Sequence, residues 1–191
     1  MKSIIITLEE KITVKTALLF TAVFAVFLWL IDFSPIGVAG LLKITGGANI
    51  LDYETRYTAQ EGYAMLEALG EAGRAFHLYK IMPLDIFFPA SLMLCGFCWL
   101  SVLVKYVSKP ANILRFLPLL SVINMLCDWT ENAGITAMLI NYPDRLPNVC
   151  VCTGMVSCVK QWCVLGLLIS AVVLTGAAAV KKIKRGINYE A

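Results

Sequence analysis

The sequence predicts an all-α protein, a bundle of four transmembrane helices carrying a short helical extracytoplasmic cap. Three observations carry that prediction. Of 191 residues, 59% are hydrophobic and 15% charged, whereas a soluble domain usually has about 25% charged residues. The apolar residues gather into four stretches, at about 16–34, 84–105, 115–140 and 155–180, each near the ~20 residues that a ~30 Å hydrocarbon core requires. Lysines and arginines then flank those stretches at alternate ends. With a mean hydropathy of +0.77, residues 1–191 read as one multi-pass membrane domain with no separate soluble part.

The first stretch follows Lys11 and Lys15. A basic segment ahead of an apolar one has the layout of a signal peptide, but no A-x-A cleavage pattern follows, so a retained helix is expected. Asp32, close to Pro35, reads as a helix-end residue.

The loop at 35–83 is the only long one. Its start, with Pro35, Gly37, Gly40 and then Thr45-Gly46-Gly47, reads as irregular. From Thr58 the pattern changes. Thr58 and Glu61 form a T-x-x-E capping box ahead of Tyr63, Met65, Leu66 and Leu69, the signature of a short amphipathic helix. Gly70 ends or bends it, and a second piece at 71–81 carries Arg74 and His77 one turn apart before Pro83. Two readings of these pieces are compatible: helices lying on the membrane surface, or a lid over a pocket between the spans.

The second stretch is uncharged between Asp85 and Lys105. Asp85 suits either a helix N-terminus, where a carboxylate complements the dipole, or a site. The fourth is uncharged between Lys160 and Lys181.

The third stretch holds the most informative pattern. Ser121, Asn124, Asp128, Glu131 and Asn132 fall within roughly a third of the helix circumference at ~100° per residue. Charged groups in hydrocarbon cost about 2.5–3.5 kcal/mol each on insertion scales, so they face protein, water or a ligand. Asp128, Glu131 and Asn132 are neighbours at i, i+3 and i+4. Two carboxylates so close in a low dielectric repel one another when both are ionised unless a cation is near. Lys160 and Arg74 are the candidates for that cation.

Orientation follows from the positive-inside rule. Lys2, Lys11 and Lys15 lie at the N-terminus, Lys105, Lys109 and Arg115 between spans two and three, and Lys181, Lys182, Lys184 and Arg185 after span four. Four spans place all three clusters on one side, so both termini are expected in the cytoplasm, with the protein in the cytoplasmic membrane. Helix rise then gives depth. Asp32 lies ~25 Å from Lys15, Asp85 ~30 Å from Lys105, Asp128 and Glu131 ~20 and ~24 Å from Arg115, and Lys160 ~30 Å from Lys181. Every span thus offers an ionisable group to the outer third of the membrane, and a pocket opening outward is expected there.

Several classes lose support. His77 is the only histidine, so a three-histidine or H-E-x-x-H zinc enzyme is excluded. A hard-metal site from Asp85, Asp128, Glu131 and His77 has no loop spacing behind it, and no metal or cofactor is assigned. There is no basic patch interleaved with aromatics, hence no nucleic-acid role. Cys95 and Cys98 form a C-x-x-C, but near the bilayer midplane, where a thiolate is disfavoured. Quinone-linked disulfide-forming membrane enzymes also have four spans and two cysteine pairs, and this chain departs from them at that placement. A disulfide from Cys150 or Cys152 to another outward cysteine fits an oxidising exterior. Trp29, Trp129, Trp162 and Tyr142 fall near the outer boundary, and Tyr106 lies at the inner one with Trp99 deeper, as an aromatic belt requires. Trp129, inside the D-W-T-E-N run, is also placed to line the pocket.

The runs LGEAGRAFHLYKIMPLDIFFP (69–89) and CDWTEN (127–132) resemble segments of small, uncharacterised prokaryotic four-span membrane proteins. That resemblance covers about a third of the chain and implies the four-span fold, with no activity attached. The membrane sterol-isomerase fold of the emopamil-binding type is similar in one general respect, acidic residues beside a tryptophan in a lipid-accessible cavity, and no residue is transferred from it.

The leading expectation is a protein that binds a lipid-like or small amphipathic ligand, or docks a membrane partner or a second copy of itself. Asn124, Asp128, Glu131, Asn132, Lys160, Arg74, His77, Asp85 and Trp129 would form the site. The alternative is a membrane enzyme acting on a lipid or isoprenoid, with Asp128 or Glu131 as general acid and base and Arg74 or Lys160 holding an anionic headgroup. The same stripe also admits a purely structural role, a polar knot that fixes helix packing. A thiol redox enzyme and an ion-coupled transporter come behind these. The transporter would need an oligomer, because the inner two-thirds of the spans offers no charged path and no inverted repeat is evident.

Overall fold

The computed structural model describes residues 11–109 and 112–190, with the side chains beyond 184 left aside. Lys2 and the Arg185 side chain, both used for orientation above, lie outside what is described. Among the described residues every regular element is helical, and four helical stretches are long and apolar enough to cross a membrane: Val14–Thr45, Gly70–Val107, Ile113–Asn141 and Pro147–Lys184. Only 11–33% of each stretch's most apolar window is buried within the chain, so most of its apolar surface faces outward, as contact with lipid tails requires.

Helix α1, Val14–Leu28, begins at Thr13, whose side chain accepts from the Thr16 N–H, and widens into a π turn at Trp29–Phe33. Ser34 then leaves the helix in an extended conformation, its hydroxyl donating back to the Leu30 carbonyl at 2.6 Å. The next segment is not the irregular stretch that Pro35 and the glycines predict. Val38–Thr45 forms a helix, α2, closed by Gly46 in the left-handed region at φ 70°, a typical glycine stop. Gly37 and Gly40 serve close approach rather than disorder. A Cβ on Gly37 would lie 2.1 Å from the Ile31 carbonyl oxygen, and one on Gly40 2.0 Å from that of Pro35. The chain turns back on itself tightly, and those two positions leave no room for a side chain.

A short 3-10 turn, Leu51–Tyr53, precedes α3, Ala59–Ala68. The expected capping box is present: the Thr58 side chain accepts from the Glu61 N–H while the Glu61 carboxylate accepts from the Thr58 N–H. These bonds favour the ionised acid and hold Glu61 below the usual carboxylate range. Gly70, at φ 64°, breaks α3 from α4, Gly70–Phe76.

Here the structure corrects the predicted outward loop of 35–83. The piece at 71–81 is not a second surface helix. Through a π turn at His77–Ile81 it runs straight into α5, Met82–Val107, and belongs to the second span. Pro83 does not stop it because the wide turn absorbs the proline. The Met82 N–H reaches back five residues to the His77 carbonyl, and Pro83 follows as if at a helix start, where its missing N–H costs nothing.

Asn112 caps a 3-10 turn, Ile113–Phe116, that leads into α6, Leu119–Asn141. The last span is one helix, α7, Pro147–Glu190, 44 residues long, which starts earlier and ends later than the 155–180 predicted.

The polypeptide thus makes a four-helix bundle with a cap of α2, the 3-10 turn and α3 over one end. Leu41, Leu51, Tyr63, Leu66, Ile81 and Ile135 form the core beneath that cap. The cap is tied to the last span. The Tyr63 hydroxyl accepts from the Leu146 N–H at 2.5 Å, and Gly62 sits against Cys150, where a Cβ would meet the sulfur at 2.5 Å. Basic groups gather at the opposite end. Lys105 donates to the Ile12 carbonyl and Lys181 to that of Tyr106 at 2.5 Å, which joins the segment before α1, the last turn of α5 and the C-terminal part of α7.

Because the atom facing Gly37 is backbone, Gly37→Ala is expected to destabilise the protein by about 1–3 kcal/mol, the range for overpacking. Gly176→Ala, in α7 with no heavy atom near the new Cβ, is expected to be neutral or to stabilise by up to ~1 kcal/mol through helix propensity. SDS titration of the protein in mixed micelles, followed by far-UV circular dichroism, checks both.

Candidate functional site

The polar stripe on α6 faces inward. Ser121, Asn124, Asp128, Glu131 and Asn132 are all buried, and so is Lys160 on α7. Lys160 is the central cation: its ammonium contacts the Glu131 carboxylate directly and stands 3.8 Å from that of Asp128. On the other side Ser157 donates to Glu131 at 2.5 Å. Thr153, Ser157 and Lys160 make a second polar stripe, on α7, that meets the first. The two helices come close because α6 carries Gly134 opposite Thr153. A Cβ there would lie 2.0 Å from the threonine hydroxyl, and small residues at a crossing let membrane helices approach.

Proline shapes the α5 side. Pro89, inside α5, has no N–H to give the Asp85 carbonyl four residues back, and its ring crowds that carbonyl out of the helix ladder. Asn132 fills the vacancy, its amide donating to the Asp85 carbonyl at 2.9 Å and reaching Asp128 Oδ1 at 3.4 Å. One residue along, the Trp129 ring N–H donates to the Ile86 carbonyl at 3.0 Å. The D-W-T-E-N run therefore docks α6 onto the α5 backbone, at the carbonyl that Pro89 frees and the one beside it.

Beside this lattice lies a cavity of about 240 Å³. Its polar wall includes Asp32, Asp52, Asp85, Asn124, Asp128 and Lys160, with Tyr53 and Gln161 also at the lining; its apolar wall is Ile31, Ile50, Phe88, Leu92 and Val164. Asp32 accepts from the Tyr53 hydroxyl at 2.5 Å. Burial, with Asp32 adjoining, pushes the Tyr53 phenol above its usual range, and burial with Glu131 nearby does the same for Tyr57, so both stay neutral donors. Asn124 is 1% exposed and its Oδ1 has no hydrogen-bond partner. Asp52 is likewise buried, with neither carboxylate oxygen hydrogen-bonded. The nearest cationic candidate for Asp52 is His77, fully buried behind it, whose Nε2 stands 3.8 Å away.

The predicted residues thus separate. Asn124, Asp128, Asp85 and Lys160 meet at the cavity, and Asp32, expected only as a helix end, joins them. Glu131 is enclosed by Lys160 and Ser157 and does not line it. His77 stands one layer back. Arg74 is not a partner of the carboxylates. It donates to the Leu66 carbonyl at 2.9 Å and lies 3.8 Å over the Tyr142 ring, at the cap edge. Trp129 is 40% exposed and, with Asn132, lines a separate, largely apolar groove of about 780 Å³ between α5 and α6.

Asp52, Tyr53 and Ser157 escaped sequence reasoning. Ser157 was findable, since Thr153, Ser157 and Lys160 share a helix face; Asp52 sits in a stretch without periodicity, and nothing in its neighbours marks it. The disulfide considered at Cys150 or Cys152 is not formed: all seven cysteines are free, with Cys150 buried against Gly62. Among the described residues no group of three or more His, Cys, Asp or Glu side chains is placed to hold a metal.

No family model, no curated protein and no solved structure matches this chain.

Removing Lys160 would strand Glu131 and Asp128 in the interior. Lys160→Met is expected to cost about 3–5 kcal/mol, the range for breaking a buried ion pair. Adding Glu131→Gln to that variant should recover part of the loss. The same SDS titration measures both, and equal stability of Lys160→Met and wild type would remove Lys160 from its central role.

Proposed function

We propose that this protein binds a small amphipathic molecule in the cavity between its cap and its spans, a multi-pass binding protein of the cytoplasmic membrane with both termini in the cytoplasm. The observation that carries the reading is Asn124. A buried amide oxygen without a partner costs about 1–3 kcal/mol, and this one lines a cavity, where a ligand donor would satisfy it. The lining supports an amphipathic occupant, since carboxylates occupy one wall and Phe88, Leu92 and Val164 the other. A merely structural polar knot would fill its own centre, as the Lys160–Glu131–Ser157 contacts do; the space around Asn124 is left open.

The basic groups support the orientation. Lys11, Lys15, Lys105, Lys181 and their neighbours belong to the end of the bundle opposite the cap, and basic ends stay cytoplasmic. The cavity then opens toward the outer face.

An acid–base enzyme on the same scaffold would use Asp85 or Asp128, because Glu131 is enclosed. Turnover of a bound lipid-like compound that disappears in Asp128→Asn and in Asp85→Asn would establish that reading instead.

Native mass spectrometry of the gently purified protein tests the binding function. A discrete bound species is expected on the wild type and absent from Asn124→Leu, whose larger apolar side chain fills the cavity while satisfying no ligand. The same species on both proteins, at equal occupancy, would sink the assignment of this cavity.

A further inference from the structure

Resting on the binding function just proposed, we infer that the group this cavity recognises is an organic ammonium, the positively charged head of a small amphiphile. Acceptors dominate the polar wall: besides Lys160, the donors at the lining are Tyr53, whose hydroxyl is spent on Asp32, and the Gln161 and Asn124 amides. Asp32, Asp52, Asp85 and Asp128 contribute carboxylates from four separate parts of the chain, and Asn124 contributes a buried amide oxygen without a partner. Against these stands one cation, Lys160, and its ammonium is already engaged by Glu131, a carboxylate behind the wall, as well as by Asp128. Lys160 therefore has little left to offer an anionic ligand, and a phosphate or carboxylate entering here would meet four acids.

Charge balance points the same way. Glu131 and Asp128 flank Lys160, so the pair of acids exceeds the cation even before Asp85 and Asp52 are considered. Asp85 is 5% exposed and shares the cavity wall with Asp52 and Asp128, with Lys160 the cation among them. A buried carboxylate left ionised without a partner is costly, and a bound ammonium offers Asp52 and Asp85 the partner that Lys160, already shared, does not.

Geometry separates an organic cation from a bare metal. A calcium or magnesium site gathers six or more oxygens within about 2.0–2.6 Å of one point. Here the acids are spread around a 240 Å³ space and form no metal-holding cluster among the described residues. An alkylammonium suits that spread, because its N–H donors or its diffuse charge reach several acceptors across a few ångströms. Its first carbons would lie against Phe88 and Leu92. The volume falls below the ~300–1,000 Å³ typical of pockets that enclose a drug-sized ligand, so a headgroup fits and a lipid tail does not.

The test uses the full-length protein in phosphatidylglycerol nanodiscs, whose lipids carry no ammonium group, with three probes of equal chain length: octylammonium, octanol and octanoate. Saturable octylammonium binding at least tenfold tighter than that of the other two is expected. Asp85→Asn and Asp32→Asn should each weaken it tenfold or more, with thermal unfolding of both variants kept within a few degrees of wild type as the control for folding. Asp32, near the cap surface, serves where Asp85→Asn fails to fold. If octanol or octanoate binds as tightly as octylammonium, and Asn124→Leu abolishes that binding, the cavity is a binding site and the ammonium assignment is wrong. If none of the three shows binding that Asn124→Leu removes, the proposed function itself falls. Nanodiscs that also contain phosphatidylethanolamine distinguish the sources of the group: competition with octylammonium identifies an aminophospholipid headgroup, and unaltered octylammonium binding identifies a free amine.

Discussion

A lysine ammonium placed well inside a membrane-spanning helix is tolerated only with negative charge against it, and Lys160 fixes the rest of this bundle through that requirement. Its stem rises from α7, so its partners must come from the neighbouring span. They do: Glu131 and Asp128, one turn apart on α6, face it. That contact sets the rotation of both helices about their axes, and once α6 is so turned, Asn132 and Trp129 are directed at α5 rather than at lipid. Gly134 opposite Thr153 then decides how near the two axes come. A hydrophobic helix surface packs almost equally well at many rotations when its surroundings are lipid; one buried charge removes that freedom.

The second device is local interruption of helices. Without Pro89 the Asp85 carbonyl would be taken up by the helix ladder of α5. Pro89 frees it for Asn132, and Trp129 adds a donor to the neighbouring Ile86 carbonyl. The π turns at Trp29–Phe33 and His77–Ile81 work differently. Each falls where a span meets the cap, each shifts the side-chain register, and each delivers a titratable group inward, Asp32 in the first and His77 in the second. The cavity thus lies where three of the four spans deviate from regular geometry or meet a helix that does. Irregular backbone is accepted at membrane depth when it borders protein or a cavity, and this arrangement meets that condition.

The features legible in the sequence are those set by periodicity and by the cost of charge in lipid. Four apolar stretches, the α6 stripe, Lys160 as its cation and the Thr58–Glu61 capping box all follow from such local rules. The errors cluster where a proline or glycine has more than one structural use. Pro83 reads as a terminator yet sits at the start of α5 behind a widened turn. Gly37 and Gly40 read as loop residues yet permit contacts with backbone that any side chain would block. Arg74 and His77, one turn apart, read as a pair, yet only the histidine is fully buried, while the arginine is held at the cap edge by the Leu66 carbonyl and the Tyr142 ring. Asp52 could not be found at all, because its position depends on how the cap folds back over the spans.

The α6 stripe differs along its length. At one end Glu131 is engaged by Lys160 and Ser157, contacts that hold α6 to α7. At the other, Asn124 and Asp128 border open volume shared with Asp32, Asp52 and Asp85. Had the whole stripe been selected for packing, the cheaper solution would be to replace the unsatisfied members by apolar residues, since a half-satisfied polar network is worse than an apolar core. Asn124 gains nothing from its amide oxygen within the chain. On the function proposed above, a ligand donor beside the acids of the cavity completes that network.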